Sequence, residues 1–218
     1  MAKYSKQLLV EGNDDYCVIS SLCEKFEIKE SFKIIDCKGI DKLLEQLPTL
    51  LKGSGNLNTI GVVLDADTDL NKRWKEVYNI LKKSGKYENI PETCDKNGTI
   101  IFPIEEDDIK VGVWLMPNNN DKGMLEDFVS FLISEDDKLL PKVDKALSEI
   151  EKEKLNQYKE IHKSKARIHT WLAWQEDPGT PMGLAITKKY LSTDPVICED
   201  FIKWMNKLFN PECKENAK

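Results

Sequence analysis

Two acidic runs, each at the end of an apolar stretch, hold the residues in this 218-residue chain best suited to chemistry. The first is Val10-Glu11-Gly12-Asn13-Asp14-Asp15, in which an apolar run ends in a carboxylate and a glycine turn. The second is Leu64-Asp65-Ala66-Asp67-Thr68-Asp69. Where a chain is still extended, residues two apart project to the same side, so Asp65 and Asp67 are expected to point together. Two such carboxylates repel unless something positive lies between them. A hard divalent cation bound through oxygen and water meets that need, and Mg²⁺ is the usual choice.

These residues need a frame that brings them together. Leu8-Leu9-Val10 reads as a buried strand, followed by a helix with apolar positions at Val18, Ile19, Leu22 and Phe26. Phe32 to Cys37 is a second strand, and Ile40, Leu43, Leu44 and Leu47 mark a second helix that Pro48 is expected to break or kink. Ile60 to Leu64 is a third strand, apolar throughout as a strand covered on both faces is. Leu70, Trp74, Val77 and Leu81 follow at helical spacing. Strand–helix alternation of this kind predicts an α/β fold with a mainly parallel sheet. In such a sheet the carboxyl ends of neighbouring strands share one crevice, so Glu11 is a candidate to meet Asp65 and Asp67.

Beyond residue 85 the pattern changes. Asn97-Gly98 is a turn signal, and Thr99–Ile104 with Lys110–Met116 predicts an antiparallel hairpin at the sheet edge, tipped by Glu105-Glu106-Asp107-Asp108. Helices are expected at Met124–Ile133, Val143–Leu155, His162–Gln175, Met182–Leu191 and Cys198–Phe209. The chain therefore divides into an α/β domain over 1–135 and a helical extension over 136–218 that packs on it.

The order strand-Glu-Gly-x-x-Asp, then strand-Asp-x-Asp, resembles the Toprim domain of topoisomerases, bacterial primases, small ribosomal-RNA-maturing nucleases and the overcoming-lysogenization-defect nucleases. Val111-Gly112-Val113-Trp114-Leu115-Met116-Pro117 with Gly123-Met124-Leu125-Glu126-Asp127, and Thr170-Trp171-Leu172-Ala173-Trp174-Gln175 with Pro178-Gly179, resemble a small stand-alone prokaryotic branch of Toprim-like proteins. The resemblance implies a Toprim-like, Rossmann-like fold in which Glu11 is a metal ligand or general acid/base. It also implies that Asp65 and Asp67 are the metal-binding pair and that Asp15 is the second acid of the first motif, with Asp14 its rival. Glu126 resembles the extra carboxylate of the overcoming-lysogenization-defect branch, and Lys165 is the candidate for the lysine that branch uses on a later helix. Four or five such carboxylates would hold two Mg²⁺ (or Mn²⁺) ions and stabilise both the attacking and the leaving oxygen of a phosphodiester displacement. The chain departs from the pattern where Thr68-Asp69-Leu70, rather than a close glycine, follows Asp-x-Asp. It shows no G-x-x-x-x-G-K-[ST] loop and leaves little room for a topoisomerase tyrosine domain, so neither a self-contained ATP-driven nuclease nor a topoisomerase is expected.

Plainer readings compete for several residues. Glu126 reads equally well as a first-turn acid favoured by the helix dipole. The spacing Asp65-x-Asp67-x-Asp69 with Glu76 imitates a calcium loop, but Leu70 replaces its glycine and a strand precedes it. Glu105 to Asp108 reads as a solvated hairpin tip. His162, Lys163, Lys165, Arg167 and His169 form a small basic region that can meet phosphates, although scattered surface bases explain it more simply. Trp171 and Trp174 read as core or helix-docking residues.

Composition narrows the partners. Lys and Arg number 32 against 38 Asp and Glu, a net charge of −6, which excludes a chain-wide basic nucleic-acid binder. No apolar run reaches bilayer length, and Met1 to Gln7 leads into Leu8-Leu9-Val10, too short for a signal-peptide core. Cys17, Cys23, Cys37, Cys94, Cys198 and Cys213 are scattered without metal spacing and read as reduced thiols of a cytoplasmic protein. The expected function is a Mg²⁺-dependent phosphoryl-transfer enzyme of the Toprim type, a nuclease acting on DNA or RNA. The alternative is a non-catalytic module that binds metal or nucleotide, or docks a separate partner protein. The sequence leaves the oligomeric state open.

Overall fold

Periodicity and turn chemistry place the elements close to where the structure has them. The computed structural model describes residues 4–53 and 55–211, so Cys213 and the first three residues lie outside the described part. In chain order the elements are β1 (Lys6–Val10), α1 (Asn13–Lys25), β2 (Lys33–Asp36), α2 (Ile40–Leu51), β3 (Thr59–Asp65), α3 (Leu70–Ser84), β4 (Thr99–Ile101) and β5 (Lys110–Met116). Then come α4 (Leu125–Phe131), α5 (Leu140–Lys152), a 3₁₀ turn (Glu160–His162), α6 (Lys163–Ala173), α7 (Met182–Thr187) and α8 (Val196–Phe209). The fold is α/β, with a five-stranded sheet in the order β2-β1-β3-β5-β4. Four strands are parallel, and β4 pairs antiparallel with β5, as the hairpin signals predict.

Alternation along the strands builds two apolar layers. Leu9, Val62, Leu64, Val113 and Leu115 face α2 and α3, with Leu43, Leu47, Trp74, Val77 and Leu81 packed over them. Leu8, Val10, Val63, Trp114 and Met116 face the other way, into a cluster that includes α1 and every helix from α4 to α8. The helices after residue 136 therefore share the core of the sheet. Gly61 and Gly112 lie on this second face and make room for the end of α8: a Cβ on Gly61 would lie 2.8 Å from Phe209. The last carbonyls of α8 are capped by Lys110 Nζ on Leu208 O (2.7 Å) and Lys6 Nζ on Phe209 O (2.5 Å), favourable partners for a helix C-terminus.

Two expectations change, and the plainer reading of the basic region holds. α2 runs through Pro48 to Leu51, because Leu47 and Leu51 on either side of it are buried against the sheet and packing outweighs the lost backbone bond. Trp171 is buried as expected, but Trp174, at the end of α6, is 47% exposed. Lys163 and Arg167 are paired with Glu151 and Asp144 of α5, so they do not form a free phosphate-facing patch. The five described cysteines are all free thiols, and among the described residues no helix is long and apolar enough to cross a membrane.

Gly183 sets how closely α7 approaches α1. A Cβ there would stand 2.7 Å from the Cys17 carbonyl, which is backbone and cannot swing away. Gly183→Ala gains up to about 1 kcal/mol of helix propensity, yet overpacking against a rigid neighbour costs about 1–3 kcal/mol. The overpacking cost exceeds the gain, so the melting temperature is expected to fall by a few degrees in thermal denaturation. An unchanged value would show that α7 is free to shift.

Candidate functional site

Parallel pairing fixes the register of the strand ends. Leu9 lies beside Val62, and Asp65 beside Met116, so β1, β3 and β5 end on one rim. There the chain opens a cleft of about 460 Å³ lined by Glu11, Asp14, Asp15, Asp65, Asp67, Glu126, His162 and Lys165, with Asp36 and Lys38 at the β2 side. A larger hollow of about 710 Å³ beside β2 gathers no carboxyl ends of strands, and the smaller cleft is the one the topology builds.

Each carboxylate is placed by local structure. Glu11 follows the last residue of β1 and its Oε1 accepts the Asp65 backbone N–H at 2.8 Å, which ties the two strand ends together across 54 positions of sequence. Gly12 is the N-cap residue just before α1, and its N–H donates to Asp15 Oδ2 at 3.1 Å, which turns Asp15 inward. Asp15 is only 7% exposed, and its Oδ1 is buried with no hydrogen-bond partner. Asp14, its rival, is exposed. Asp65 Oδ1 accepts the Leu125 N–H at the start of α4 (2.8 Å), and the next residue, Glu126, is 4% exposed.

Lys165 brings the cation. Asp127 accepts the Met124 N–H (2.9 Å) and the Ser164 hydroxyl (2.6 Å), so it pins α6 against the start of α4. Lys165 Nζ then lies 3.1 Å from Glu126 Oε1. Burial pushes the Lys165 ammonium down, but Glu126, with Asp14 and Asp65 beyond it, outweighs this and holds it above the usual lysine range.

The electrostatics are lopsided. Burial, then the charge of Glu11, pushes the Asp15 carboxyl up to about 7, with Glu126 adding to the rise. Asp65 is raised well above its ordinary value by burial and by Glu11, Asp15 and Glu126. Glu11 is raised by burial, although the Asp65 N–H and Arg73 pull it down. Four buried or half-buried carboxylates, Glu11, Asp15, Asp65 and Glu126, thus crowd one part of the cleft beside the Lys165 ammonium, while Lys38 at the β2 side is paired with Asp36.

Asp67 behaves differently from the extended-chain expectation. The strand ends at Asp65, and Asp67 sits at φ +52 with its N–H on Gly123 O (2.8 Å). It still borders the cleft, but its Oδ2 is bound by Arg73 at 2.6 Å. The same guanidinium donates to Asp65 O (2.8 Å) and Glu76 Oε2 (2.7 Å). Arg73 has no signal in the sequence beyond lying one turn past Asp69, which caps α3 by accepting the Lys72 N–H (3.0 Å). Asn119 was equally hidden: it is buried in the Asn-rich loop, and its Oδ1 accepts the Leu115 N–H (2.7 Å) and secures the end of β5. Of the remaining acids, Glu105, Glu106 and Asp107 are exposed at the hairpin tip, as a solvated run should be, but Asp108 is half-buried and paired with Lys86.

The donor set suits a hard divalent cation: every donor is a carboxylate oxygen, and the unpartnered Asp15 Oδ1 lies among other acids. Among the described residues no three His, Cys, Asp or Glu side chains close into a ready-made cage. Mg²⁺ does not need one, since it keeps several waters and binds proteins through one or two carboxylates.

Solved structures offer only a distant likeness. The C-terminal region of the Xanthomonas campestris pv. campestris OLD protein, phased with mercury, is similar over 97% of this chain and 99% of that one, at 12% identity and a TM-score of 0.47. The iodine-phased structure of the same region gives 97% and 98% coverage, 13% identity and a TM-score of 0.45. No curated protein matches in sequence. One family profile matches residues 5–210, nearly the whole chain, and the chain therefore belongs to the family described as "Protein of unknown function (DUF3226)".

Proposed function

We propose that this protein is a Mg²⁺-dependent phosphoryl-transfer enzyme of the Toprim type, a nuclease that hydrolyses phosphodiester bonds in DNA or RNA. The observation that carries the reading is the convergence of Glu11, Asp15, Asp65 and Glu126 on one rim cleft, with Asp15 Oδ1 buried and unpartnered. These residues would hold Mg²⁺ or Mn²⁺, which when bound supplies Lewis-acid stabilisation of charge on a phosphoryl group. The Asp65 N–H holds the Glu11 carboxylate and the Leu125 N–H holds the Asp65 carboxylate, so both would be positioned before a ligand arrives. Lys165, half exposed on the cleft rim, is placed to meet a phosphate oxygen while Glu126 anchors it. The chain's net charge of −6 opposes a polyanion, so attraction has to be local and to depend on the metal.

Purified protein is expected to cleave at least one of plasmid, single-stranded DNA and RNA in Mg²⁺ or Mn²⁺, and none in excess chelator. The pairing of Asp67 with Arg73 favours a second reading, a Toprim-like module that binds metal or nucleotide, or docks a partner protein, without cutting. Calorimetric binding of Mg²⁺ with no turnover on any of the three substrates would decide for that module.

A further inference from the structure

We propose that the Arg73 guanidinium is a resident cation of this site, standing where a second divalent ion would bind, so that the chain takes up one metal ion. The inference rests on the metal reading above and assigns its stoichiometry. Arg73 makes three hydrogen bonds, all to oxygen: Nε to the Asp65 carbonyl at 2.8 Å, one terminal nitrogen to Asp67 at 2.6 Å and the other to Glu76 at 2.7 Å. Two carboxylates and a main-chain carbonyl are the ligand types a hard dication takes. Here they converge on a planar guanidinium whose fork of donors matches them.

The arrangement is anchored on every side. The Arg73 side chain is only 12% exposed. Its helix is capped by Asp69, and the next residue, Trp74, is 1% exposed. The Asp67 backbone is left-handed and its N–H rests on Gly123 O, and its carboxylate is held by Arg73 at the border of the cleft. Asp65 divides its oxygens between the two regions, with its carbonyl toward Arg73 and its carboxylate toward Leu125 and the cleft. Charge follows the same division. Asp67 and Glu76 share a guanidinium, whereas Glu11, Asp15, Asp65 and Glu126 share one ammonium. A dication is drawn more strongly to the second group, where four carboxylates face one cation, than to the first, where two do.

The test counts ions on the full chain by titrating Mn²⁺ and reading free Mn²⁺ by electron paramagnetic resonance. Wild type is expected to bind one ion, Arg73→Gln two, and Arg73→Lys, which keeps a cation in place, one. Asp67→Asn is expected to keep its single ion, which gives a reading even if Arg73→Gln does not fold. Two ions in wild type, one ion in a folded Arg73→Gln, or loss of the ion in Asp67→Asn would overturn the assignment of Arg73 and leave the metal reading standing. No ion in wild type would overturn the metal reading, and this inference with it.

Discussion

In excess chelator, the protein is expected to become less stable as pH rises from about 4 to 7, in part because of Asp15. Its carboxyl is pushed up to about 7, first by burial and then by Glu11, whereas in the unfolded chain it returns to the ordinary value of 3.8. Between those values the folded state holds a proton that the unfolded state has released, so unfolding is coupled to proton loss and rising pH favours it. A rise from 3.8 to about 7 corresponds to about 4 kcal/mol, or roughly 10 °C in melting temperature for a chain of this size. Asp65 and Glu11 are shifted in the same direction and add to the slope. Asp36 and Asp144 are held low, first by hydrogen bonds from Lys38 and Arg167, so their contribution is lost only as pH falls below the ordinary carboxylate range. Asp15→Asn should flatten the profile. The amide still offers Gly12 N–H an acceptor and adds no charge to the cleft, so the variant is expected to be more stable than wild type at pH 8 without metal. Saturating Mg²⁺ should restore wild type and leave the variant unmoved, because a bound cation replaces the proton. Thermal unfolding across pH 4.5–8, with chelator and with Mg²⁺, checks all three statements. A metal-free wild type that gains stability over that window would show that Asp15 is stabilised as a carboxylate.

The parts of this site legible in the sequence were those set by short-range rules. Apolar runs ending in acids announced β1 and β3, and parallel pairing then placed Glu11 beside Asp65, as a strand-end crevice requires. The edge hairpin was legible because the apolar runs on either side of Glu105-Glu106-Asp107-Asp108 are local signals, with Asn97-Gly98 marking the turn that leads into β4. The side of Asp67 was not legible, because the period-two rule holds only while the strand lasts and β3 stops at Asp65. Arg73 was missed for a related reason. Its bonds to Asp65 and Asp67 cross a turn and the start of a helix, and no periodic pattern encodes such a contact. Lys163 and Arg167 looked available in sequence because nothing there shows that α5 lies alongside α6 with Glu151 and Asp144 facing them. Asp14 and Asp15 were inseparable by type, and only the capping bond to Gly12 turns one of them inward.

Asp65→Asn and Asp69→Ala, four positions apart, are expected to separate chemistry from stability. Asp65 points its carboxylate at the cleft, and its Oδ1 accepts the Leu125 N–H. Asparagine can keep that bond and removes a charge repelled by Glu11, Asp15 and Glu126, so the fold should be as stable as wild type or more so. Metal-dependent cleavage, by contrast, should fall by about 10³-fold, the scale on which a single group that organises transition-state charge acts. Asp69 does the opposite work. It caps α3 through the Lys72 N–H, is exposed and takes no part in the cleft, so Asp69→Ala should cost about 1 kcal/mol of stability and leave cleavage intact. Rates on the cleaved nucleic acid, set beside urea unfolding of the same preparations, test both halves. Equal cleavage by Asp65→Asn and wild type would remove Asp65 from the chemistry. The acidic run after β3 would then be a strand end and a helix cap, with the buried charge of its first member left without a purpose.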